Sequence, residues 1–284
     1  MDDLNEFFDR LGVPPEKRPI IIEKLNEKLS YKPKIGFLGK TGAGKSSLCN
    51  AIFGQDICEV SDVKSCTRNP QEVFLNMGGK GITLLDLPGL GENPDRDEEY
   101  CKLYSSLLPE LDLALWVLDA TDRAISSDVF YYNTIVKPHI DQDKPFFFAL
   151  NQVDMIKPYD EWNEAKNCPG VAQFSKIDMI VRNVSQEFKC PESWLIPVSA
   201  SKKYNLSLLV DMFILALPKE KRFTVGFNII PENVSERTEK VLDKSLSDVL
   251  KEIVSKAVGF AKTIVTVVFE GIKFFRYFRD LFPR

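Results

Sequence analysis

The chain has 284 residues, 44% of them hydrophobic and 27% charged, with 37 Lys and Arg against 41 Asp and Glu. That length holds one sizeable α/β domain with something extra, and a net charge of −4 gives no electrostatic reason to expect a nucleic-acid partner. Six cysteines at positions 49, 58, 66, 101, 168 and 190 form no C-x-x-C pair and there is one histidine, so the chain offers no zinc ligand set; with no apolar leader in MDDLNEFFDR, the thiols point to a reducing, cytoplasmic setting.

Residues 1–32 read as a helical extension. Leu4, Phe7, Phe8 and Leu11 fall near helical spacing, Pro14-Pro15 breaks the run, Ile20, Ile21, Ile22, Leu25 and Leu29 resume it, and Pro33 ends it. Packing on the main domain is the plain role; a partner-binding arm is the alternative. Lys34–Leu38 (KIGFL) is a short buried strand, followed by a glycine-rich loop and a helix from Ser46 to Phe53. Gly54 to Pro70 is polar and aperiodic, which suits a mobile loop. Glu72–Leu75 and Ile82–Asp86 read as strands joined through Met77-Gly78-Gly79-Lys80, a hairpin signal.

Helices are expected over 98–108, over 128–136 with a stop before Pro138, over 171–188 and over 206–215. In the third of these, Phe174, Ile177, Ile180, Val181 and Val184 are placed on one face. Buried strands are expected over 111–118, 146–150 and 194–198. Strands and helices alternating in this way imply a mostly parallel sheet covered on both faces, with ligands at the carboxyl ends of the strands. Pro218 to Pro231 reads as a linker, and Glu232 to Phe282 as one long helix or a pair broken at Gly259 or Gly271. The implied division is 1–32, an N-terminal extension; 33–217, the main domain; 218–232, a linker; and 233–284, a C-terminal helical segment.

The loop Gly39-Lys40-Thr41-Gly42-Ala43-Gly44-Lys45-Ser46, with Ser47 behind it, fits the phosphate-binding pattern G-x-x-x-x-G-K-[ST] at every fixed position, between a strand and a helix as that pattern requires. Glycines let successive N–H groups point inward at phosphate oxygens, and the helix adds the positive end of its dipole. Lys45 supplies a point charge for the β- and γ-phosphates, and the Ser46 hydroxyl is a hard oxygen ligand suited to Mg²⁺. The competing reading is a glycine-rich turn that matches by chance.

Such a loop specifies a nucleoside triphosphate and not its base. Asp154 closes an N-x-x-D pattern at the end of a strand. A carboxylate there accepts from guanine N1–H and N2–H₂; adenine offers neither donor and leaves the charge unpaired. Asn151 suits a bridge between base and loop. Ser199-Ala200 follows the last strand, where a backbone N–H can reach guanine O6. Asp86-x-x-Gly89 follows another: the carboxylate can hold Mg²⁺ through water, and the Gly89 N–H can sense the γ-phosphate.

The ordered set GKTGAGKSS, Thr67, DLPG, NQVD and SASK resembles the translation-factor-like GTPases of the Era/TrmE-like branch, and within them the bacterial, often prophage-encoded, YfjP-like group. The resemblance spans Lys34 to Leu217. It implies a Ras-like, three-layer α/β/α P-loop fold with six strands and about five helices, GTP and GDP as ligands, Mg²⁺ as cofactor, and slow hydrolysis that drives two switch loops. By position, Thr67 resembles the first switch's threonine, which binds Mg²⁺ and the γ-phosphate, with Ser65 as the rival in the same loop.

Two departures bear on activity. Leu90 follows Gly89 where Ras-type enzymes carry the glutamine that orients the attacking water, which implies slow intrinsic turnover. Gln152 stands where N-K-x-D is usual; it is shorter than lysine and uncharged, so weaker nucleotide affinity is expected while Asp154 keeps guanine selection. Gly42 occupies the position of the asparagine of potassium-stimulated relatives, so potassium dependence is not supported. Arg68 and Arg96 lie in the switch regions, with ordinary solvation as their plain role. Asp119 and Asp122 can be read as paired carboxylates or as loop caps, and Trp162 as a partner contact or as packing.

Residues 251–284 carry seven basic and three acidic residues, a net +4, and their longest uncharged run is Thr263–Phe269. A spanning helix needs roughly 18 apolar residues or more. The segment is therefore read as packed on the domain or in a homodimer, as peripheral to the inner face of a membrane, or as an RNA contact. The main expectation is a GTPase switch acting on an unknown protein partner. The alternatives are a non-hydrolysing, GTP-dependent scaffold and a P-loop ATPase.

Overall fold

Side chains of the buried strands alternate between two apolar layers, and this alternation builds the molecule. The computed structural model describes residues 8–9, 13–29, 31–54, 71–77, 80–86, 94–140 and 145–258. Six strands form one sheet: β1 Lys34–Leu38, β2 Gln71–Met77, β3 Lys80–Asp86, β4 Leu113–Asp119, β5 Phe146–Asn151 and β6 Leu195–Pro197. Their order is β2-β3-β1-β4-β5-β6. The pairs β1–β3, β1–β4, β4–β5 and β5–β6 are parallel, and β2 runs antiparallel to β3 with Met77 opposite Lys80. The hairpin read from Gly78-Gly79 fits that register, though those two glycines lie outside the described residues.

Eight or more residues of helix separate most strands. The helices are α1 Arg18–Leu29, α2 Lys45–Phe53, α3 Pro94–Leu107, α4 Ser126–Tyr131, α5 Lys137–Ile140, α6 Val171–Phe188, α7 Leu206–Ala216, α8 Lys219–Asn228 and α9 Glu236–Val258. Ile35, Phe37, Leu113, Leu115 and Val117 point to one face, under α1, α2, α7, α8 and α9. Leu38, Ala114, Trp116, Leu118, Phe146 and Phe148 point to the other, under α3, α4 and α6. Two-residue periodicity in parallel strands thus fills both layers of a three-layer sandwich. Each large apolar side chain so buried contributes about 1.5–3 kcal/mol.

Four expectations are corrected. Residues 218–232 are not a linker: they hold α8, whose Phe223, Val225, Gly226 and Phe227 are buried. The segment looked like a linker because prolines bracket it and KEKR opens it. The helix over 128–136 does not stop before Pro138; a π-helical turn at Tyr132–Val136 leads into α5, which contains Pro138. Such a turn loosens the i to i−4 ladder just where proline lacks a donor. Phe174 does not share the buried face of α6 but is 61% exposed, and Gln173 takes its place at full burial. The Gln173 amide donates to the Ile156 carbonyl at 2.8 Å and accepts from the Gly170 N–H at 3.2 Å, so a polar side chain is satisfied there. The helix read from Glu98 begins at Pro94, which suits a first-turn position.

The C-terminal helices are fastened to the rest at three points. At the far end of α2, the Asn233 amide donates to the Ala51 carbonyl at 2.7 Å and the Ile230 N–H to the Ile52 carbonyl at 3.1 Å. Asp211 of α7 accepts from the Ser235 and Thr238 hydroxyls at the start of α9. Buried Asp112 accepts from Tyr31, from the Lys34 N–H and from Lys221 of α8. Residues 236–258 of the C-terminal segment are therefore packed on the domain, with Leu242, Leu246, Leu250, Ile253 and Val254 buried. Of residues 251–284, read as packed, as peripheral to a membrane or as an RNA contact, 259–284 lie outside the described residues. Among the described residues no helix is long and apolar enough to cross a membrane.

Candidate functional site

The carboxyl ends of β1, β4, β5 and β6 converge on the loop Gly39–Gly44 and the start of α2. Two glycines make this loop. Gly39 has φ 130° and a Cβ there would lie 2.3 Å from the Val117 carbonyl oxygen; Gly44 has φ 84° and a Cβ would lie 2.4 Å from Asn151 Nδ2. No other residue type fits both conformation and space. Gly44 leads directly into α2, whose first turn opens with Lys45, Ser46 and Ser47 beside the loop; the positive end of a helix dipole lies at such a turn. Lys45 is 7% exposed and folds its ammonium back over the loop, donating to the Lys40 carbonyl at 2.9 Å and the Gly39 carbonyl at 3.3 Å. A glycine-rich loop opening a helix, with one ammonium folded over it, is complementary to a polyanion.

The end of β5 is tied to this loop through two side-chain amides. Asn151, at the end of β5 and 2% exposed, donates from Nδ2 to the Ala43 carbonyl at 3.0 Å. Its Oδ1 accepts from the Ala200 N–H at 3.1 Å. Gln152 adopts the left-handed region at φ 63° and donates from Nε2 to the Gly42 carbonyl at 3.0 Å. Its shorter side chain still reaches the loop, which composition alone did not show. Asp154 accepts from the Ser201 hydroxyl at Oδ2, 3.1 Å. Its Oδ1 is buried and has no hydrogen-bond partner. A buried carboxylate oxygen is ordinarily matched by a donor.

The loop after β6 is stiffened from within. The Ser199 hydroxyl accepts from the Lys202 N–H and lies 3.0 Å from the Ser201 hydroxyl, and Ser199 and Tyr204 pair through their backbones. Trp162 is buried against Tyr204 at 5.3 Å between ring centroids, so it is packing beneath the base loop. The Asn167 amide donates to the Lys202 carbonyl at 2.7 Å. Ser201 is the functional contact the sequence reading missed; a hydroxyl two residues past Ser199 was its only signal.

Lys40 departs from its neighbours. Its backbone belongs to the loop, but its side chain turns away, to Asp122 Oδ2 at 2.8 Å, Asp128 Oδ2 at 2.9 Å and the Ala124 carbonyl at 2.5 Å. Asp128 also accepts from Trp116 Nε1 at 3.2 Å. Lys40, Asp122 and Asp128 line a cavity of about 120 Å³ together with Thr41, Gly42, Ala43, Val117 and Asp119. Asp119 accepts from the N–H and hydroxyl of Thr121 at 2.7 Å each, the loop-cap role, and is not paired with Asp122.

Asp86 ends β3 in register with Phe37, which places it beside the strand that feeds the loop. Thr67, Ser65, Gly89, Leu90 and Arg68 lie outside the described residues, and residue 96 falls in the first turn of α3.

With that geometry in hand, comparison with known proteins is informative. Residues 34–152 match the family described as 50S ribosome-binding GTPase. YkfA of Escherichia coli K12, described as uncharacterized, is 36% identical over 228 residues, which are 80% of this chain and 76% of that one. YfjP of the same organism, also described as uncharacterized, is 35% identical over 209 residues, 74% of this chain and 70% of that one. Among solved structures, Era in complex with MgGDPNP and nucleotides 1506–1542 of 16S ribosomal RNA superposes with a TM-score of 0.52 at 25% identity. That match covers 66% of this chain and 57% of the Era chain, so this chain spans little more than half of Era.

Proposed function

We propose a function from one premise: the chain belongs to the 50S ribosome-binding GTPase family, in company with YkfA and YfjP. The family's name describes the family, and no ribosomal partner of this chain follows from it. The chain carries a GTP-binding domain of the Era and MnmE kind. Our reading beyond that is a GTPase that hydrolyses GTP slowly and acts as a switch. GTP orders the loops around Thr67 and Gly89, and hydrolysis releases them and alters affinity for a protein partner.

The single observation that carries the base assignment is the unmatched Asp154 Oδ1 at the end of the Asn151–Asp154 turn. Guanine N1–H and N2–H₂ supply the missing donors; adenine carries neither, its N1 being an acceptor and its position 2 a C–H. In this reading the amides of Gly39 to Ser47 and the Lys45 ammonium receive the phosphates, and the Ser199-Ala200 turn approaches guanine O6, with the Ala200 N–H shared with Asn151 Oδ1.

The residues also fit Mg²⁺. Ser46 offers a hydroxyl and Asp86 and Thr67 offer further oxygens, a hard donor set of the kind that holds Mg²⁺ with waters and phosphate. Bound there, the ion would neutralise charge on the β- and γ-phosphate oxygens. Leu90 supplies no hydrogen bond to water, which favours slow turnover and leaves the water to backbone or a partner.

The test is competitive binding and turnover with GTP and ATP, followed by Asp154→Asn. The wild type should hold and hydrolyse GTP and ignore ATP. The variant should lose GTP by on the order of a hundredfold or more. It should also favour xanthosine triphosphate, because the asparagine amide donates to the oxygen that replaces the guanine amino group. Equal binding of ATP and GTP by the wild type would refute the base assignment. GTP that stays intact for many hours, even with partners added, would leave the non-hydrolysing scaffold as the function.

A further inference from the structure

Two lysines sit in the phosphate loop, and they do opposite things. Lys45 folds over the loop, whereas Lys40 is held away from it by two carboxylates and a carbonyl on the stretch that runs from the end of β4 into α4. We propose that Lys40 is a positioning residue: anchored on Asp122 and Asp128, it fixes the peptide whose carbonyl seats the Lys45 ammonium, and it does not itself touch phosphate. The proposal rests on the GTP-binding reading above.

The geometry leads there in three steps. First, the Lys40 carbonyl accepts both from Lys45 Nζ at 2.9 Å and from the Ala43 N–H at 3.3 Å, so residue 40 supports the turn and the ammonium together. Rotating that peptide moves both. Second, the Lys40 side chain is clamped by partners that are themselves fixed. Asp122 accepts from the Ala124 N–H at 2.7 Å, and Asp128, 2% exposed, accepts from buried Trp116 of β4. The loop is thus pinned to the floor of the sheet. Third, the ammonium already has three acceptors in place, leaving it no unmet demand for a phosphate oxygen.

A buried carboxylate is an expensive anchor. Burial pushes the Asp128 carboxyl above the usual aspartate range despite its bonds to Lys40 and Trp116. On Lys40, burial pulls the ammonium down, but Asp122 and Asp128 outweigh it and hold it above the usual lysine range. The pair therefore holds Lys40 firmly while Asp128 bears the desolvation cost. Ion pairs of this kind are poor sources of stability and serve better to fix geometry.

That difference separates positioning from plain structure and from phosphate binding. The experiment measures release of a fluorescent GDP analogue, GTP turnover and melting temperature for full-length Lys40→Met, Lys40→Arg, Asp128→Asn, Asp122→Asn and the Lys40→Met/Asp128→Asn double variant. Positioning predicts that Lys40→Met and Asp128→Asn each release nucleotide about tenfold faster, in the range by which supporting contacts couple to a site. The double variant should be no worse than the poorer single. Lys40→Arg should recover most of the loss, and Asp128→Asn should melt no lower than wild type.

If Lys40→Met speeds release while Asp128→Asn and Asp122→Asn do not, Lys40 is a phosphate ligand and the proposal is overturned. Unchanged release in Lys40→Met overturns it as well. Should Asp128→Asn fail to fold, Asp122→Asn at the exposed end of the clamp decides alone, with about threefold faster release expected and none overturning it. A wild type that holds no guanine nucleotide would instead refute the reading on which the proposal rests.

Discussion

Asn151 Nδ2 lies 3.0 Å from the Ala43 carbonyl oxygen, and through that bond the end of β5 holds the phosphate loop. The same amide accepts from Ala200, so three segments far apart in sequence meet on one side chain. Asn151→Ala should strand the buried Ala43 carbonyl and the half-buried Ala200 N–H, at a cost of about 2 kcal/mol in stability. Guanine nucleotide affinity should fall about tenfold, since 1.4 kcal/mol is a factor of ten. Calorimetric titration and urea unfolding of the same variant check both. Loss of stability with unchanged affinity would show that the bridge is structural alone.

The carboxylates around Lys40 should carry opposite pH signatures. The Lys40 hydrogen bond, with the Ala124 N–H, holds the Asp122 carboxyl below the usual range. Its stabilising contribution is therefore complete above about pH 4, where an unfolded aspartate titrates, and is lost as pH falls through its folded value. Burial raises the Asp128 carboxyl, so its contribution is complete below about pH 4 and is lost as pH rises through its folded value. Relative to wild type, Asp128→Asn should gain stability between about pH 4 and neutrality. Asp122→Asn should instead flatten the acid limb below about pH 4. Urea midpoints across that range are the measurement, and parallel curves for both variants would contradict it.

Packing between α8 and α9 is tight at one glycine. A Cβ on Gly226 would lie 2.5 Å from Leu242 Cδ1, and Leu242 is fully buried. Gly226→Ala should cost about 1–3 kcal/mol by overpacking, and Leu242→Ala about 2–5 kcal/mol by cavity formation. The double variant should be less damaged than the two costs summed, because the new methyl enters the new space. Denaturant midpoints decide this, and strict additivity would mean that the two helices adjust independently.

The sequence disclosed most where chemistry forbids alternatives. Gly39 and Gly44 must be glycine because the Val117 carbonyl and the Asn151 amide stand where a side chain would be, and that need leaves a spaced signature. Asp154 was legible for the same reason. Parallel order followed from the alternation of apolar runs with helices. What stayed hidden depended on partners distant in the chain. Nothing near Gln173 announces the Ile156 carbonyl that lets it sit buried where Phe174 was expected. Nothing in KEKRFTVGFN announces the sheet face and α9 that turn a linker-like stretch into a buried helix. Lys40 reads as one more cation in a phosphate loop until Asp122 and Asp128, over eighty residues on, are seen to hold it.

The caps at the end of α2 bear on how this protein can be cut. Asn233 and the Ile230 N–H close the carbonyls of Ala51 and Ile52, on the helix that starts at Lys45. A fragment ending near residue 217 would bare those carbonyls and the apolar sheet face under α8. Its exposed wound would lie one helix length from Lys45. The smallest piece worth expressing for nucleotide work therefore runs through α9, even though the family match itself ends at residue 152.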